Sequence, residues 1–307
     1  MDLVPHLFVD SVISALHELP PPESFSGLSD AHWQSEFRRH KERRIFVRLY
    51  LLYTDCGIEC TVEELDPETF WSKKFSSFRE ILFIDKRFVR IRELVLHTNL
   101  LFPEEISGQI EHKRTVIRQW EITDPSSPFM KYVMGQFQRS DNYLNIMVNN
   151  RGHLETKILS TFHKQIHFST LRLKHSGKMS EDFLEDQLSN SSQLKTVELI
   201  GTWRQPMLRK VLNLTGKHNV QFLLDYSDLS MNKETLRELV NSWRSNHFNA
   251  EHLSVKTTVT EKEISRILPR DRNGNFMLYR PKEVRAITVA LRKDRPALRI
   301  KTWDFID

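Results

Sequence analysis

Cysteine and glycine are scarce in this 307-residue chain, and it has no long apolar run. The two cysteines, Cys56 and Cys60, lie too close together for a framework disulfide, and they cannot supply the four thiolates of a structural zinc site. Nine glycines leave little material for a glycine-rich phosphate loop. No apolar run approaches the roughly 20 residues that a membrane-spanning helix needs, and the first residues lack the basic region of a secretory signal. We therefore expect reduced thiols, no membrane partner, and a location in the cytoplasm or nucleus.

Neither sign of charge is in large excess. The 45 basic and 40 acidic residues are interleaved and leave a formal net charge of +5, without the polybasic footprint of a nucleic-acid-binding protein. The densest basic run, from Arg38 to Arg44, is interrupted by His40 and Glu42, and the solvated face of a helix explains it better. We expect no nucleic-acid partner. The hydrophobic fraction of 39% is sufficient for a sizeable core.

Residues that could serve catalysis or metal binding do not occur in recognisable patterns. His163 and His167 are four residues apart, as two ligands on a helix would be, but no glutamate stands between them as in metalloproteases. The Gly-x-Ser-x-Gly nucleophile motif is absent. Residues 271–274 begin like a calcium loop, but the later acidic ligands are missing, so a hairpin turn explains them better. The sequence predicts no catalytic residue, no metal site and no cofactor, and hence a protein that is not an enzyme.

The strongest signal in the chain is an internal repeat of short triplets with the pattern apolar-x-x-apolar-x-apolar. The middle residues fall at positions 94, 120, 146, 171, 197, 223 and 253, at spacings of 26, 26, 25, 26, 26 and 30 residues. Each triplet has the alternation of a short strand with one buried face. The triplets are Ile91/Leu94/Leu96, Ile117/Trp120/Ile122, Tyr143/Ile146/Val148, Phe168/Leu171/Leu173, Leu194/Val197/Leu199, the incomplete Val220/Leu223/Asp225, and Ala250/Leu253/Val255.

Helical signals lie between the triplets. Pro103 opens one segment as a first-turn proline, and Ser180 and Asn232 are candidate N-caps of two others. Thr260 and Glu263 form a possible capping box of a fourth. One strand followed by one helix cannot cover its own apolar faces, whereas stacked copies can. The sequence therefore predicts an α/β fold, in the form of a leucine-rich-repeat-like solenoid of about seven strand–helix units.

The two ends of the chain depart from the repeat. Residues 284–289 and 297–300 predict two strands that would cap the open end of the array. Residues 4–19 predict an amphipathic helix, so residues 1–45 are expected to form a small N-terminal helical segment and residues 46–307 the repeat domain. The segment either packs on the first repeat or docks on a partner. Its predicted apolar face consists of Val4, Phe8, Val12, Leu16 and Leu19, and its polar face of His6, Asp10, Ser14 and His17.

Two segments resemble a known family. The opening Met-Asp-x-Val-Pro-x-x-Phe-x-x-x-Val of residues 1–12 is similar to the start of a large nematode family of F-box and F-box-associated proteins, and residues 236–255 resemble the associated region of that family. The resemblance implies a substrate receptor of a cullin–RING ubiquitin ligase of the SCF type. In such a receptor the F-box helices bind a Skp-type adaptor, and the associated domain captures a target protein. The adaptor-binding residues implied by the resemblance are Val4, Pro5, Phe8 and Val12.

In a solenoid, the residues that alternate with the buried ones point away from the core. We expect the target protein to bind these positions on the later strands, unless the C-terminal strand cap covers Phe222, Leu224 and Tyr226. Two other functions stay open, a repeat scaffold that binds protein without ubiquitin machinery and a hydrolase, which would need a deep pocket with convergent side chains. The predicted target-binding residues are Arg172, Lys174, Glu198, Phe222, Leu224 and Tyr226.

Overall fold

The fold is mixed α/β, which confirms the predicted class. The chain divides into two compact units, Met1–Thr161 and Phe162–Asp307. The domain boundary that the sequence predicts, between residues 45 and 46, does not coincide with the boundary between these units and stays a prediction. The computed structural model describes residues 6–16, 19, 31–54, 57–69, 71–97, 113–137, 142–147, 154–214, 220–245, 251–271, 276–280, 285–291 and 297–304.

The described part of the first unit contains six strands and six helices. The strands are β1 (Ile45–Thr54), β2 (Gly57–Leu65), β3 (Ser72–Ser76), β4 (Val89–His97), β5 (Thr115–Ile117) and β6 (Tyr143–Met147). The helices are α1 (His6–Ala15), α2 (Ala31–Arg43), α3 (Phe78–Leu82), α4 (Gln119–Thr123), α5 (Pro128–Phe137) and α6 (Leu154–Phe162), the last of which ends in the second unit.

The strands of the first unit pair in the order β3–β2–β1–β4–β6, and β5 pairs with another stretch of β2. β1 and β2 form an antiparallel hairpin, whereas β1 with β4 and β4 with β6 are parallel. One face of the sheet is apolar core, because β1, β2, β4 and β6 place almost completely buried aliphatic side chains at alternating positions on it. This core includes Val47, Leu49, Leu51, Ile58, Val62, Leu94, Leu96, Leu144 and Ile146.

On the opposite face, one arginine joins three strands of the first unit. Arg48 Nη1 donates to Glu63 Oε2 at 2.7 Å, and Arg48 Nε donates to Glu93 Oε2 at 2.5 Å. The Tyr50 hydroxyl also donates to Glu63 Oε2, at 2.9 Å. Burial raises the pKa of Tyr50, so its phenol stays neutral and can act as this donor. The network satisfies charged groups that lie where water has little access.

The described part of the second unit contains eight strands, and four helices lie wholly within it. The helices are α7 (Lys178–Asn190), α8 (Pro206–Leu214), α9 (Lys233–Arg244) and α10 (Glu261–Ile264). The strands are β7 (Thr170–Lys174), β8 (Thr196–Gly201), β9 (Gln221–Ser227), β10 (Ser230–Met231), β11 (His252–Thr257), β12 (Phe276–Arg280), β13 (Arg285–Leu291) and β14 (Ala297–Asp304).

These strands pair in the order β7–β8–β9–β11–β14–β13–β12, and β10 pairs with β11. The first four are parallel, and the last three join them antiparallel. The register between β7 and β8 aligns Leu171 with Val197, the alignment that the period of 26 residues predicts. In the first unit, β6 aligns Leu144 with Leu94, two residues away from the predicted middle residue Ile146. Six of the seven predicted triplets lie in or beside strands.

The strand predicted at Ile117/Trp120/Ile122 is wrong. Only residues 115–117 are extended, antiparallel to β2, and residues 119–123 form α4. The three-residue spacing between Ile117 and Trp120 suits one turn of a helix as well as it suits the strand template. Asp124 precedes Pro125, which disfavours helical backbone at that residue and helps to end the short helix. Because this unit of the repeat is missing, the solenoid of about seven strand–helix units is not confirmed.

The predicted helix starts are confirmed in two cases and wrong in one. Asn232 Oδ1 accepts the backbone N–H three residues later at 2.9 Å and caps α9. The Thr260 N–H donates to Glu263 Oε2 at 3.0 Å, as the capping box predicts for α10. Ser180 is not an N-cap, because α7 begins after Gly177, and the Ser180 hydroxyl donates to the Gly177 carbonyl instead. Glycine fits there because its backbone has a positive φ of 106°.

Both predicted C-terminal strands are confirmed, as β13 and β14, and both continue beyond the predicted ends at residues 289 and 300. Val284, the predicted start of the first strand, lies outside the described residues. β14 pairs antiparallel with β11, the last of the parallel strands, so it covers an edge that would otherwise expose unpaired backbone groups. Pro103 and the hairpin turn at residues 273–274 lie outside the described residues.

Candidate functional site

The sheet of the second unit has one apolar face and one polar, partly exposed face. The apolar face of β7, β8, β9, β11 and β14 is buried, and its aliphatic and aromatic side chains are at most 1% exposed, among them Leu171, Val197, Phe222, Leu253 and Ile300. The alternating positions point the other way. We call them the open face. Apart from Ser254 and Ala297, which are buried, they are half-buried or exposed, and they comprise Thr170, Arg172, Lys174, Thr196, Glu198, Ile200, Gln221, Leu223, Tyr226, His252, Ser254, Lys256, Ala297, Arg299 and Lys301.

Four of the six predicted target-binding residues lie together on the open face. Arg172 and Glu198 are opposite each other in the register of β7 and β8, and Arg172 Nε is 3.2 Å from Glu198 Oε2. One step further, Ile200 of β8 stands between Lys174 of β7 and Tyr226 of β9. The Tyr226 ring is 54% exposed. An exposed aromatic ring beside an aliphatic side chain and charges of both signs is typical of protein-binding surfaces.

The other two predicted target-binding residues, Phe222 and Leu224, do not lie on this face, and the prediction that they are exposed is wrong. Both are completely buried in the core. The register aligns Phe222 with Val197, one residue away from the predicted partner Leu223, so Leu223 is on the open face instead. An irregularity in pairing opposite residues 198–200 then brings Tyr226 back to the open face. A slip of one residue exchanges the two faces of a strand.

Arg299 and Lys301 complete the open face, and the sequence reasoning did not identify them. Both lie on β14, where they alternate with buried aliphatic residues, and the register places them opposite Ser254 and His252 of β11. That alternation was visible in the sequence, but the prediction used β14 only as a cap. The pKa of His252 is lowered by burial and by the neighbouring charges of Arg299 and Lys301. The β14 side of the open face therefore carries two cationic side chains, Arg299 and Lys301.

The predicted adaptor-binding residues lie in or before α1. Val4 and Pro5 are outside the described residues, Phe8 is 55% exposed, and Val12 is half-buried. Leu7, which the prediction did not include, is 76% exposed. Two neighbouring apolar side chains thus face solvent on a helix that buries Val9 and Ile13.

The predicted polar face of α1 is wrong in its central part. Asp10 and Ser14 are buried, and the helix packs on α2 through Val9 and Ile13, which contact Phe37. Periodicity placed the first two on the solvent side because they are polar. Asp10 and Ser14 are nevertheless buried, because neighbouring elements supply hydrogen-bond partners for them.

Asp10 is one of those buried groups, and it is held by a network. Its carboxylate accepts from Arg87 Nη1 at 2.6 Å and from His40 Nε2 at 3.0 Å. Glu36 is paired with Arg39 at 2.9 Å. Asp10, Glu36 and His40 place three potential metal-ligand atoms within 4.8 Å of one another. The two guanidinium groups already supply the positive charge that a bound cation would bring, so this cluster is better described as an ion-pair network.

The network fixes the ionisation of its members. Burial raises the pKa of Asp10, but the hydrogen bonds from Arg87 and His40 outweigh burial, and the pKa falls below its usual value. Burial lowers the pKa of His40, and the nearby charges of Arg44 and Arg90 lower it further. Among the residues that the structure describes, none is hydrogen-bonded to the buried His40 Nδ1, so the neutral ring with its proton on Nε2 suits the site.

The C-terminal end of α1 is held by two buried arginines. Arg44 donates to the carbonyls of Ile13 and Leu16 at 3.1 and 3.2 Å, and Arg90 donates to the carbonyl of Ser14 at 2.6 Å. Carbonyls at a helix C-terminus lack partners within the helix and favour positive charge. Arg44 therefore does not belong to a solvated basic face, which is where the sequence placed it.

The remaining residues of that basic run and the histidine pair have ordinary surroundings. Arg38, Lys41 and Arg43 are exposed, as predicted. His163 lies in the turn after α6, and His167 lies in the extended segment before β7, so the two do not share a helix.

Cys60 lies on β2, where it is completely buried as a free thiol, and burial raises its pKa well above the usual value. The other cysteine, Cys56, lies outside the described residues. Within the described residues, no helix combines the length and apolar character that crossing a bilayer requires. No family model, curated protein or solved structure matches this chain.

Proposed function

We propose that this chain is a protein-binding receptor without catalytic activity, and that the open face of the second unit holds its target. The observation that carries the proposal is the contrast between the two faces of one sheet. Alternate side chains are completely buried on one face and partly exposed on the other, where Tyr226, Ile200 and an Arg172–Glu198 ion pair lie side by side. A broad face of this kind suits a protein surface better than it suits a small substrate, which needs a concave pocket.

The proposal includes a leucine-rich-repeat-like arrangement of about seven strand–helix units. Parallel pairing of β7, β8, β9 and β11, with helices between successive strands, supports it in the second unit. Repeats of this type cover one another's apolar faces and leave one strand face available to a partner.

We further propose that the receptor serves a cullin–RING ubiquitin ligase of the SCF type, in the cytoplasm or nucleus, and that α1 contributes to the contact with a Skp-type adaptor. The resemblance of residues 1–12 to the F-box-associated family supports this part. The exposure of Leu7 and Phe8 also supports it, because neighbouring apolar side chains that are exposed to solvent are candidates for a protein interface.

The target-binding part is tested in two steps. Affinity purification from native cells with the wild-type chain, followed by mass spectrometry, identifies the retained target protein. The recovery of that protein is then compared between wild type and Tyr226→Ala. We expect recovery of that protein to fall several-fold, since exposed aromatic residues at an interface contribute about 1–2 kcal/mol or more. Trp71→Ala is the control, because Trp71 is an exposed aromatic residue of the first unit. Equal recovery by the two variants would remove the open face as the target site.

The adaptor part is tested with Leu7→Ala/Phe8→Ala in a pull-down of purified Skp-type adaptor. The chain offers a matched control in Leu82→Ala/Phe83→Ala, because that second Leu-Phe pair is also exposed, at 49% and 92%. We expect the first double variant to lose the adaptor and the control to retain it. If both variants recover as much adaptor as wild type, or if wild type recovers none, the ligase role is wrong. A target that still binds would then favour a scaffold without ubiquitin machinery.

A further inference from the structure

Positive charge is concentrated in the first unit, where α2 meets the turn before β4. Residues 36–44 and 85–92 together contain nine arginines and lysines and three carboxylates. When the buried Asp10 is counted with them, their excess of positive charge equals the formal net charge of +5 of the whole chain. The two segments are adjacent, because the backbone N–H of Ile45 donates to the Phe88 carbonyl at 2.8 Å. Basic segments that are far apart in the sequence therefore form one cationic region.

Three arginines of this region pack around the ring of Phe88. The guanidinium carbons of Arg39, Arg43 and Arg87 lie 5.4, 5.9 and 5.6 Å from the centroid of that ring. Phe88 itself is 3% exposed, so the ring is a fixed part of the core. A guanidinium group that packs on an aromatic ring is held in position with its planar set of N–H donors. The arrangement therefore brings three preorganised cationic groups close together.

Two of these arginines are paired with carboxylates, and the third is not. Arg87 donates to Asp85 Oδ2 from Nε at 2.9 Å and from Nη2 at 2.5 Å. Arg39 Nη1 donates to both carboxylate oxygens of Glu36, at 3.0 and 2.9 Å. Arg43 is exposed, and among the described residues it forms no hydrogen bond or ion pair. The charge and the N–H donors of Arg43 are therefore available to a ligand.

We infer that Arg43, assisted by Arg39, binds a phosphorylated side chain of a partner protein. Residues four apart on a helix are neighbours, so the two guanidinium groups can hold one phosphate group between them. A phosphate monoester carries about −1.5 to −2 charges at pH 7 and three acceptor oxygens, so it offsets more of the positive excess than one carboxylate does. Glu42, the adjacent carboxylate on α2, points about 100° around the helix axis from Arg43.

The geometry favours a single phosphate group over a nucleic-acid backbone. One of the three arginines at the Phe88 ring lacks a carboxylate partner, so the site suits one phosphate group, whereas a nucleic acid needs a series of such contacts. The inference goes beyond the proposed function, because it adds a binding site in the first unit to the open face of the second unit.

The probe is a fluorescein-labelled peptide, Gly-Ala-Gly-phosphoserine-Gly-Ala-Gly, and its counterpart carries serine in place of phosphoserine. We expect fluorescence anisotropy with the full chain to show binding of the phosphorylated peptide alone, weakening as salt is raised. Arg43→Gln should weaken that binding about tenfold, because it removes charge-assisted hydrogen bonds to the phosphate group. Arg43→Lys should weaken it about threefold, because lysine keeps the charge and lacks the planar set of donors.

The control is Arg38→Gln, which removes the same charge from another exposed arginine of α2. Arg38 points about 140° around the helix axis from Arg43, away from the Phe88 ring. We expect this variant to bind the phosphorylated peptide within about twofold of wild type, since exposed charges at a distance are screened by salt. Thermal unfolding of each variant verifies that the fold is retained, and Arg43→Lys serves if Arg43→Gln unfolds.

The inference is overturned if wild type does not bind the phosphorylated peptide, if it binds the serine peptide equally well, or if Arg38→Gln loses as much binding as Arg43→Gln. Displacement by an equal concentration of inorganic phosphate would also overturn it, because the site would then take a free anion. A single-stranded RNA octamer that binds more tightly than the peptide, with the same loss in Arg43→Gln, would assign the site to a nucleic acid instead. Tyr226→Ala should bind the phosphorylated peptide as wild type does, so the two proposed sites are judged separately.

Discussion

Replacing Arg90 with methionine removes a guanidinium that is completely buried and keeps much of the side-chain volume. Arg90 donates to the carbonyls of Ser14 at 2.6 Å, Val89 at 2.7 Å and Arg87 at 2.9 Å. Each buried acceptor that loses its donor costs about 1–3 kcal/mol. Part of this loss is offset, because a buried guanidinium is itself expensive to desolvate. We therefore expect Arg90→Met to lower the free energy of unfolding by about 2–4 kcal/mol.

The assay is urea denaturation followed by circular dichroism, with hydrogen exchange of α1 as a local readout. The Ser14 carbonyl belongs to α1. In Arg90→Met, the backbone amides of α1 should therefore lose protection from hydrogen exchange before those of β4. Arg38→Met is the control, because Arg38 is exposed, and it should change the free energy of unfolding by less than about 0.5 kcal/mol. If Arg90→Met matched that control, the reasoning that buried arginines hold the end of α1 would be refuted.

Three further predictions concern the core, the ion-pair network and the buried thiol. Phe222→Ala should lower the free energy of unfolding by about 3–5 kcal/mol, and Leu223→Ala by clearly less; equal losses would contradict the assignment of faces. The pKa of His40 is lowered in the folded protein, so the unfolded chain takes up the proton first as pH falls below the usual value of 6.5. Between about pH 7.5 and pH 5.5, wild type should therefore lose more stability in urea than His40→Gln does, and the lowered pKa of Asp10 adds a further loss at lower pH. The Cys60 thiol should react with a disulfide reagent slowly in native protein and rapidly in denaturant, and rapid native labelling would exclude its burial.

The period of the apolar triplets predicted most strands of the second unit, because parallel strands with one buried face carry a regular pattern. The alignment of Leu171 with Val197 follows directly from that period. The prediction was wrong at Trp120, where the same spacing suits a helix, and at Phe222, where the register moves by one residue. Neither feature can be read from one strand, since each depends on how a segment pairs with its neighbours. Arg299 and Lys301 were missed for the same reason: they join the open face only through antiparallel pairing of β14 with β11.

The N-terminal helix shows a second limit. Its periodicity placed Asp10 with the exposed polar residues, yet Asp10 is 4% exposed, because His40 and Arg87 bind it from elements 30 and 77 residues away in the chain. A hydrophobic pattern depends only on the polarity of each residue, so it cannot show that a polar residue has a hydrogen-bond partner elsewhere in the chain. The face of α1 that is buried therefore carries Asp10 together with Val9 and Ile13, and Phe8 is exposed.

Under the proposed function, stability and binding reside on opposite faces of the same strands in the second unit. Phe222 and Leu224 contribute to the core, and Leu223 between them contributes to the open face. Substitutions at exposed positions away from buried networks usually change stability by no more than about 0.5 kcal/mol, whereas large-to-small changes in a core cost several times more. Residues such as Tyr226 and Arg299 can therefore differ between proteins of this architecture without loss of the fold. If the open face binds a target as proposed, substitutions on that face can change the partner while the buried face keeps the strands in register.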